Sequence, residues 1–308
     1  MTIGIKGIAY AFDRLRDIAT LPRLANDATL LHGYERGGHR SFGHSDSSLS
    51  EQAIVAARQT LTDTNLPPQV LDAVVVGCAS IRFWPRYAEL LSTEILLGLG
   101  IKDVPVFGVT LGGCANYSNG LRIAKALLHE NNDWRNILLI ETNKLPNDEM
   151  RPYMPYVSIF GDGSVSAIIS NDDNEFVIAG IAHVAKPLDA EGGGDPRFIT
   201  NNINGYRRVI NEALHQAACE IEQVDVVIPN NKNISELENL ASFWRVPFSK
   251  VFVGNIGRIG HLWSADNLIN LKDVCAEPQY ANHKTFLLLC QGDSTYSAIV
   301  LRRSSAKG

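Results

Sequence analysis

Cys114 and His261 stand in matching settings. The segment VFGVTLGGCANYSNGLRIAKALL surrounds the first and NIGRIGHLWSADNLINL the second; superposed, Gly113-Cys114 falls on Gly260-His261 and Asn119 on Asp266. The run VPVFGVTLGG reads as a strand ending in two glycines, and ANYSNGLRIAKALL reads as a helix, so the thiol is expected at a strand-to-helix junction. A helix N-terminus behind the sulfur favours the thiolate and offers backbone N–H groups to an oxyanion, the two requirements of acyl transfer through a thioester. His261 follows GRIG and opens SADNLINL, again at a helix start. Asp266, five residues on, is out of reach if both residues are helical. With His261 in the preceding loop, the carboxylate reaches an imidazole nitrogen, orients the ring and stabilises its protonated form.

These residues need a framework, and the pattern supplies an α/β one. LDAVVVGCA (71–79), NILLIET (136–142), VSAIIS (165–170), VDVVIPN (224–230), KTFLLLC (284–290) and YSAIVLR (296–302) predict buried strands. SLSEQAIVAARQTLTDT, GLRIAKALLHEN, NGYRRVINEALHQAACEI and ISELENLASFWRV carry helical periodicity. The strands and helices alternate, and parts of the chain repeat. GDGSVSAIIS (161–170) matches GDSTYSAIVL (292–301), and DAVVVGCAS (72–80) resembles DVVIPNNKN (225–233). Strand, reactive loop with helix, strand, and Gly-Asp turn with strand therefore recur in one order, which predicts two similar halves, 1–171 and 172–308, meeting at the polar NDDNE.

Composition narrows the function classes. The chain of 308 residues, 45% hydrophobic and 20% charged, can bury a large core, and a net charge of -5 argues against nucleic acid as a partner. MTIGIKGIAYAFDRLRD does not have the layout of a signal peptide, and no later stretch approaches the ~20 apolar residues of a membrane span, so a cytoplasmic protein with no membrane partner is expected. Cys78, Cys219, Cys275 and Cys290 read as buried free thiols, since the five cysteines show neither disulfide nor zinc spacing. LPRLANDATLLHGYERGGHRSFGHSD (21–46) lacks clear periodicity; its His32, His39 and His44 fit no metal motif, and it reads as a substrate-facing loop. DAEGGGDPRFITNNING (189–205) reads as a second loop, mobile or walling a pocket.

GGCANYSNGLRIAKALL, IFGDGSVSAII, INGYRRVI, IPNNKN and IGHLWSADN occur in the order and spacing of the type III β-ketoacyl-acyl-carrier-protein synthases of the thiolase superfamily, which the chain resembles over nearly its whole length. The resemblance implies a five-layered αβαβα fold of duplicated halves, a homodimer, no permanently bound cofactor, and an acyl donor on coenzyme A or the phosphopantetheine of an acyl carrier protein, entering through a tunnel. Two motifs depart from the family. Its Pro-His-Gln-Ala-Asn reads Pro229-Asn230-Asn231-Lys232-Asn233 here, and its Gly-Asn-Thr-Ser reads Gly260-His261-Leu262-Trp263. The His/Asn pair that holds the enolate in decarboxylative condensation is thus rearranged.

Gly-His-x-x-(Ser/Ala)-Ala-Asp looks instead like the branch of ketosynthase III-like acyltransferases with a Cys-His-Asp triad, which act in natural-product pathways. That likeness implies that Cys114 takes the acyl group, His261 deprotonates a hydroxyl or similar acceptor, and Asp266 orients His261. The oxyanion is expected on the N–H of Cys114 and one from Cys290-Gln291-Gly292, with Asn230 a further donor and Trp263 beside the base. The family's basic residue at the tunnel mouth is matched by Ser235, leaving Arg82, Arg86, Arg151, Arg207, Arg208 and Lys232 as candidates for that contact. Phe83, Trp84 and Trp244 either shape the tunnel or fill core. Carbon-carbon condensation, and a silent partner subunit, are the alternatives to acyl transfer.

Overall fold

Alternating side chains place the strands between helical layers in a computed structural model that describes residues 2–186, 197–292 and 294–304. Among the described residues nine strands form the main sheet: β1 (Gly4–Ala11), β2 (Ala73–Gly77), β3 (Val106–Val109), β4 (Asn136–Asn143), β5 (Gly163–Ser170), β6 (Phe176–Ala185), β7 (Val226–Pro229), β8 (Thr285–Gln291) and β9 (Thr295–Arg303). The main helices are α1 (Leu49–Asp63), α2 (Leu91–Leu99), α3 (Asn116–Glu130), α4 (Arg197–Gln216), α5 (Ile234–Trp244) and α6 (Asp266–Ala276). Every strand and helix expected from periodicity is present. The strands β1 and β6, which join the two halves, and helix α2 were not anticipated.

The strand order, β7-β8-β9-β6-β1-β5-β4-β2-β3, is two copies of one arrangement meeting at the antiparallel β1–β6 pair. In the first copy β2 lies parallel to β3 and β4, and β4, β5 and β1 then run antiparallel in turn. In the second, β7 lies parallel to β8 and bridges Val251 in parallel, while β8, β9 and β6 run antiparallel. The element order strand, helix, strand, helix, extended segment, helix, strand, strand is shared. The fold is thus the thiolase-like αβαβα arrangement of duplicated halves.

Period-two alternation decides which layer each side chain joins. On β2, Val75 faces the central core while Val74 and Val76 face the layer of α1 and α2. On β8, Phe286 and Leu288 turn to the same central core, and Leu287 and Leu289 pack under α4 and α5. The centre is filled by α3 and α6, through Tyr117, Leu121 and Ala124 from one and Leu268, Ile269 and Val274 from the other. These are the helices that start at the two reactive segments, so one apolar core carries both.

Residues 21–46 are not an open loop. They form a helix at Ala28–Arg36 and a strand at Ser41–His44 that pairs with Arg14–Asp17, packed around Ile18, Leu21, Leu24, Tyr34, Phe42 and Ile159. Apolar residues spread over short elements gave no long-range period. His39 is fully buried, His32 stands beside Glu35, and His44 lies between Asp46 and Asp162. Of the second expected loop, 189–196 lie outside the described residues and 197–205 open helix α4. Among the described residues, no helix is long and apolar enough to cross a membrane.

Candidate active site

The chain leaves β3, turns at Gly112-Gly113, and presents Cys114 in a single 3-10 turn, Gly113–Ala115, that runs into α3. Gly113 has φ +55°, and its repeat mate Gly260 has φ +69°. Both precede the reactive residue in a conformation that a side chain disfavours by roughly 1–2 kcal/mol. The turn is fastened from several sides. The Gly112 N–H donates to Asn116 Oδ1 (2.6 Å), the Gly112 carbonyl accepts from Thr295 Oγ1 (3.0 Å) on β9, and Ser118 Oγ donates to the Ala115 carbonyl (3.0 Å). Neither α3 nor α6 has a side-chain N-cap, whereas α1 starts with a Ser48/Glu51 capping box and α5 with Asn233. The helices behind the site therefore start without side-chain oxygens over their first amides.

His261 precedes the Trp263–Ala265 turn, and α6 starts at Asp266. This is the loop-then-helix arrangement that lets the carboxylate fold back. His261 Nε2 lies 3.2 Å from Cys114 Sγ, and His261 Nδ1 lies 2.5 Å from Asp266 Oδ2. Asp266 is fully buried and accepts further N–H bonds from Asn231 (2.8 Å, to Oδ2) and Leu262 (2.6 Å, to Oδ1). These donors fix the carboxylate in place. Burial acts against protonation of His261, but the Asp266 charge and the neighbouring Cys114 outweigh it and push the imidazole up to about 10. The imidazole thus stands with sulfur on one side and carboxylate on the other.

Cys114 opens on a cavity of about 250 Å³ whose walls include Ile81, Arg82, Leu111, Tyr153, Phe160 and Trp263. Phe160 stacks on the His261 ring (centroids 5.0 Å apart) and on Trp263 (4.1 Å). Phe83 meets Trp263 edge-on. The apolar wall strengthens the charge interactions within the site by excluding water.

The sequence places the thiol, imidazole and carboxylate together, and in the structure they touch. Two of the amides expected to hold the oxyanion are bonded within the protein. The Gln291 N–H donates to Asn230 Oδ1 (2.8 Å), and the Gly292 N–H donates to the Thr295 carbonyl (2.9 Å), so both amides are engaged. The Gln291 side-chain oxygen accepts from Lys232 (2.5 Å) and Tyr206 (3.1 Å). Asn230 lies beside the cysteine, but its Nδ2 is turned to the carbonyls of Cys114 (3.5 Å) and Trp263 (3.3 Å). Hydrogen bonding across the ends of β7 and β8 uses the groups assigned to substrate. Arg151 is also not at a mouth: it is buried, with its guanidinium on Asp162 (2.8 Å) and Asp148 (2.7 Å). Of the expected basic candidates, Arg82 lines the cavity. Trp84 donates to the Lys144 carbonyl, and Trp244, the last residue of α5, is core and meets Tyr206 of α4 edge-on.

Several contributing residues were not expected. Asn231 supplies a backbone N–H to Asp266, its Nδ2 donates to the Gly260 carbonyl (2.7 Å), and its Oδ1 accepts from Asn270 (2.9 Å). Phe160 precedes the repeated Gly-Asp turn, the one sequence signal that it had. Glu141, at the end of β4, accepts from Ser264 Oγ (2.5 Å) and so ties the base's turn to the opposite half. Burial, opposed by the Ser264 hydroxyl, pushes Glu141 up to about 8. Among the described residues no cluster of three or more His, Cys, Asp or Glu side chains could hold a metal.

No protein-family model matches the chain. A β-ketoacyl-acyl-carrier-protein synthase III of Aquifex aeolicus is 24% identical over 274 residues, covering 83% of this chain and 85% of that protein. The crystal structure of a 3-oxoacyl-acyl-carrier-protein synthase III from A. aeolicus VF5 superposes with a TM-score of 0.79 over 97% of this chain and 99% of its own, at 21% identity. The solved structure of ChlB3, described as an acyltransferase, superposes with a TM-score of 0.84 at 16% identity, covering 99% of this chain and 98% of its own. By sequence and by fold, the chain is similar to the type III β-ketoacyl-acyl-carrier-protein synthases.

Proposed function

We propose that the protein is an acyltransferase that moves an acyl group from a coenzyme A or carrier-protein thioester, through an acyl-Cys114 intermediate, to a hydroxyl or amine acceptor in a biosynthetic, natural-product pathway. The contact series Cys114–His261–Asp266 carries this reading. In the first half-reaction the Cys114 thiolate attacks the donor carbonyl. The tetrahedral adduct collapses, the donor sulfur leaves, and it takes the proton from His261 Nε2. Acylation removes the charge from Cys114, and His261, now neutral with its Nδ1–H held by Asp266, offers the Nε2 lone pair. The acceptor gives its proton to Nε2 as its oxygen or nitrogen attacks the thioester. Collapse expels the Cys114 thiolate beside imidazolium, which restores the starting state.

A condensing reaction is favoured by the names of the sequence relatives, which are synthases of type III. Against it, an enolate oxygen needs two donors, and the Asn230 amide that would be the second faces backbone carbonyls. We further propose a cytoplasmic homodimer, without a permanent cofactor, of halves 1–171 and 172–308. Strand β3 ends the sheet, and Leu111 beside Cys114 is 97% exposed, which supports a second copy covering that edge. Intact-mass measurement after incubation with acyl-coenzyme A or acyl-carrier protein tests the reading. An adduct present on wild type and absent on Cys114→Ala is expected. Carbon dioxide released from a malonyl donor together with a β-keto product would establish condensation instead.

A further inference from the structure

The turn that carries Cys114 is tied to the other half of the molecule by a hydrogen-bond chain that the reaction itself does not use. Arg122 Nη1, on α3, lies 3.3 Å from His183 Nδ1, and His183 Nε2 lies 2.8 Å from Ser118 Oγ. Ser118 is fully buried, and its Oγ also reaches the Ala115 carbonyl at 3.0 Å. Directions follow from the ends. Arginine only donates, so Nδ1 accepts; the neutral ring then carries its hydrogen on Nε2 and donates to Ser118, and Ser118 donates to Ala115. His183 belongs to β6, in the second half, and Ala115 follows the nucleophile directly.

We propose that His183 is a positioning residue for Cys114, which, through Ser118, fixes the Ala115 carbonyl and thereby keeps the sulfur within reach of His261. The chain complements the Thr295 contact to Gly112, so both ends of the Gly112–Ala115 turn are held from β6 and β9. Glu141 does the converse for the base, reaching from the first half to Ser264. Burial and the Arg122 cation both keep the His183 ring neutral, pushing it down to about 4, so the direction of the chain is constant at ordinary pH. A displacement of ~1 Å at a reacting group costs on the order of a hundredfold in rate, and the sulfur-to-imidazole contact has little room for one.

The inference rests on Cys114 being the nucleophile, and its test separates the two ideas. Purified full-length protein is alkylated with iodoacetamide across pH, and modification of Cys114 and Cys275 is followed by peptide mass. Wild type is expected to react selectively at Cys114. In His183→Leu the Cys114 rate falls roughly ten- to a hundredfold and its pH midpoint rises. His183→Gln, whose amide can donate to Ser118 and accept from Arg122, restores both. Ser118→Ala cuts the same chain and reproduces the loss, which keeps the test decisive if His183→Leu does not fold. A rate and midpoint unchanged in His183→Leu or Ser118→Ala, with selective wild type, would overturn the positioning role. Wild-type Cys114 reacting no faster than Cys275 would overturn the nucleophile reading itself.

Discussion

Replacing Asp266 by Asn removes one charge and turns one acceptor into a donor, and the buried geometry leaves no harmless orientation. Oδ2 receives His261 Nδ1 and the Asn231 N–H, while Oδ1 receives the Leu262 N–H. With the new amide nitrogen toward Leu262, two N–H groups oppose each other, at a cost of roughly 1–3 kcal/mol in stability. With it toward His261, Nδ1 must accept, Nε2 carries the hydrogen, and the ring cannot take a proton from the acceptor. In both orientations the carboxylate that outweighs burial at His261 is gone, so the imidazole falls from about 10. Acyl transfer is expected to drop roughly a thousand- to ten-thousandfold, the scale of a triad given the wrong tautomer. Rapid-quench mass measurement of adduct formation and loss, on protein whose melting curve shows it folded, reads both half-reactions. Turnover within tenfold of wild type, with an unchanged pH profile, would refute the role given to Asp266.

Other outcomes follow from the same geometry. Glu141 is raised in the folded protein from 4.5 to about 8, so its neutral form contributes stability that is whole below pH 4.5 and is lost as pH climbs through about 8. Urea titrations should show wild type losing up to about 1.4 kcal/mol per pH unit from this group in that window, and Glu141→Gln flattening the slope. An unchanged slope would show the carboxyl to be ionised when folded. Gly260→Ala combines positive φ with a Cβ 2.6 Å from the Ile159 carbonyl. It should lower stability by roughly 2 kcal/mol or more and slow acyl transfer, because His261 is the next residue; an unchanged melting temperature contradicts this.

The sequence made the layers legible because the short apolar runs of β2, β4, β7 and β8 stand out without knowing the partners. It hid β1, where GIKGIAYA carries two glycines, and the small elements of 21–46, whose apolar residues answer to each other rather than to a period. Within the site, Cys114, His261 and Asp266 stood out through repetition and spacing. The hydrogen-bond directions did not. Whether the Asn230 amide faces substrate or the Cys114 carbonyl, and whether the Gln291 N–H is open or spent on Asn230, depends on atoms brought together from β7, β8 and two turns. Glu141 and Ser264, far apart in the chain and joined across the halves, left no local pattern at all.

In the proposed reaction His261 activates a heteroatom acceptor against an acyl group on Cys114. The direct measurement isolates the acyl-enzyme, mixes it with alcohols and amines, and follows loss of the adduct by intact mass in wild type and His261→Ala. Rapid loss with ester or amide product is expected in wild type, and a persistent adduct in the variant. Equal loss in both proteins, or an adduct that resists every alcohol and amine yet is consumed by a malonyl thioester with release of carbon dioxide, would contradict that reaction.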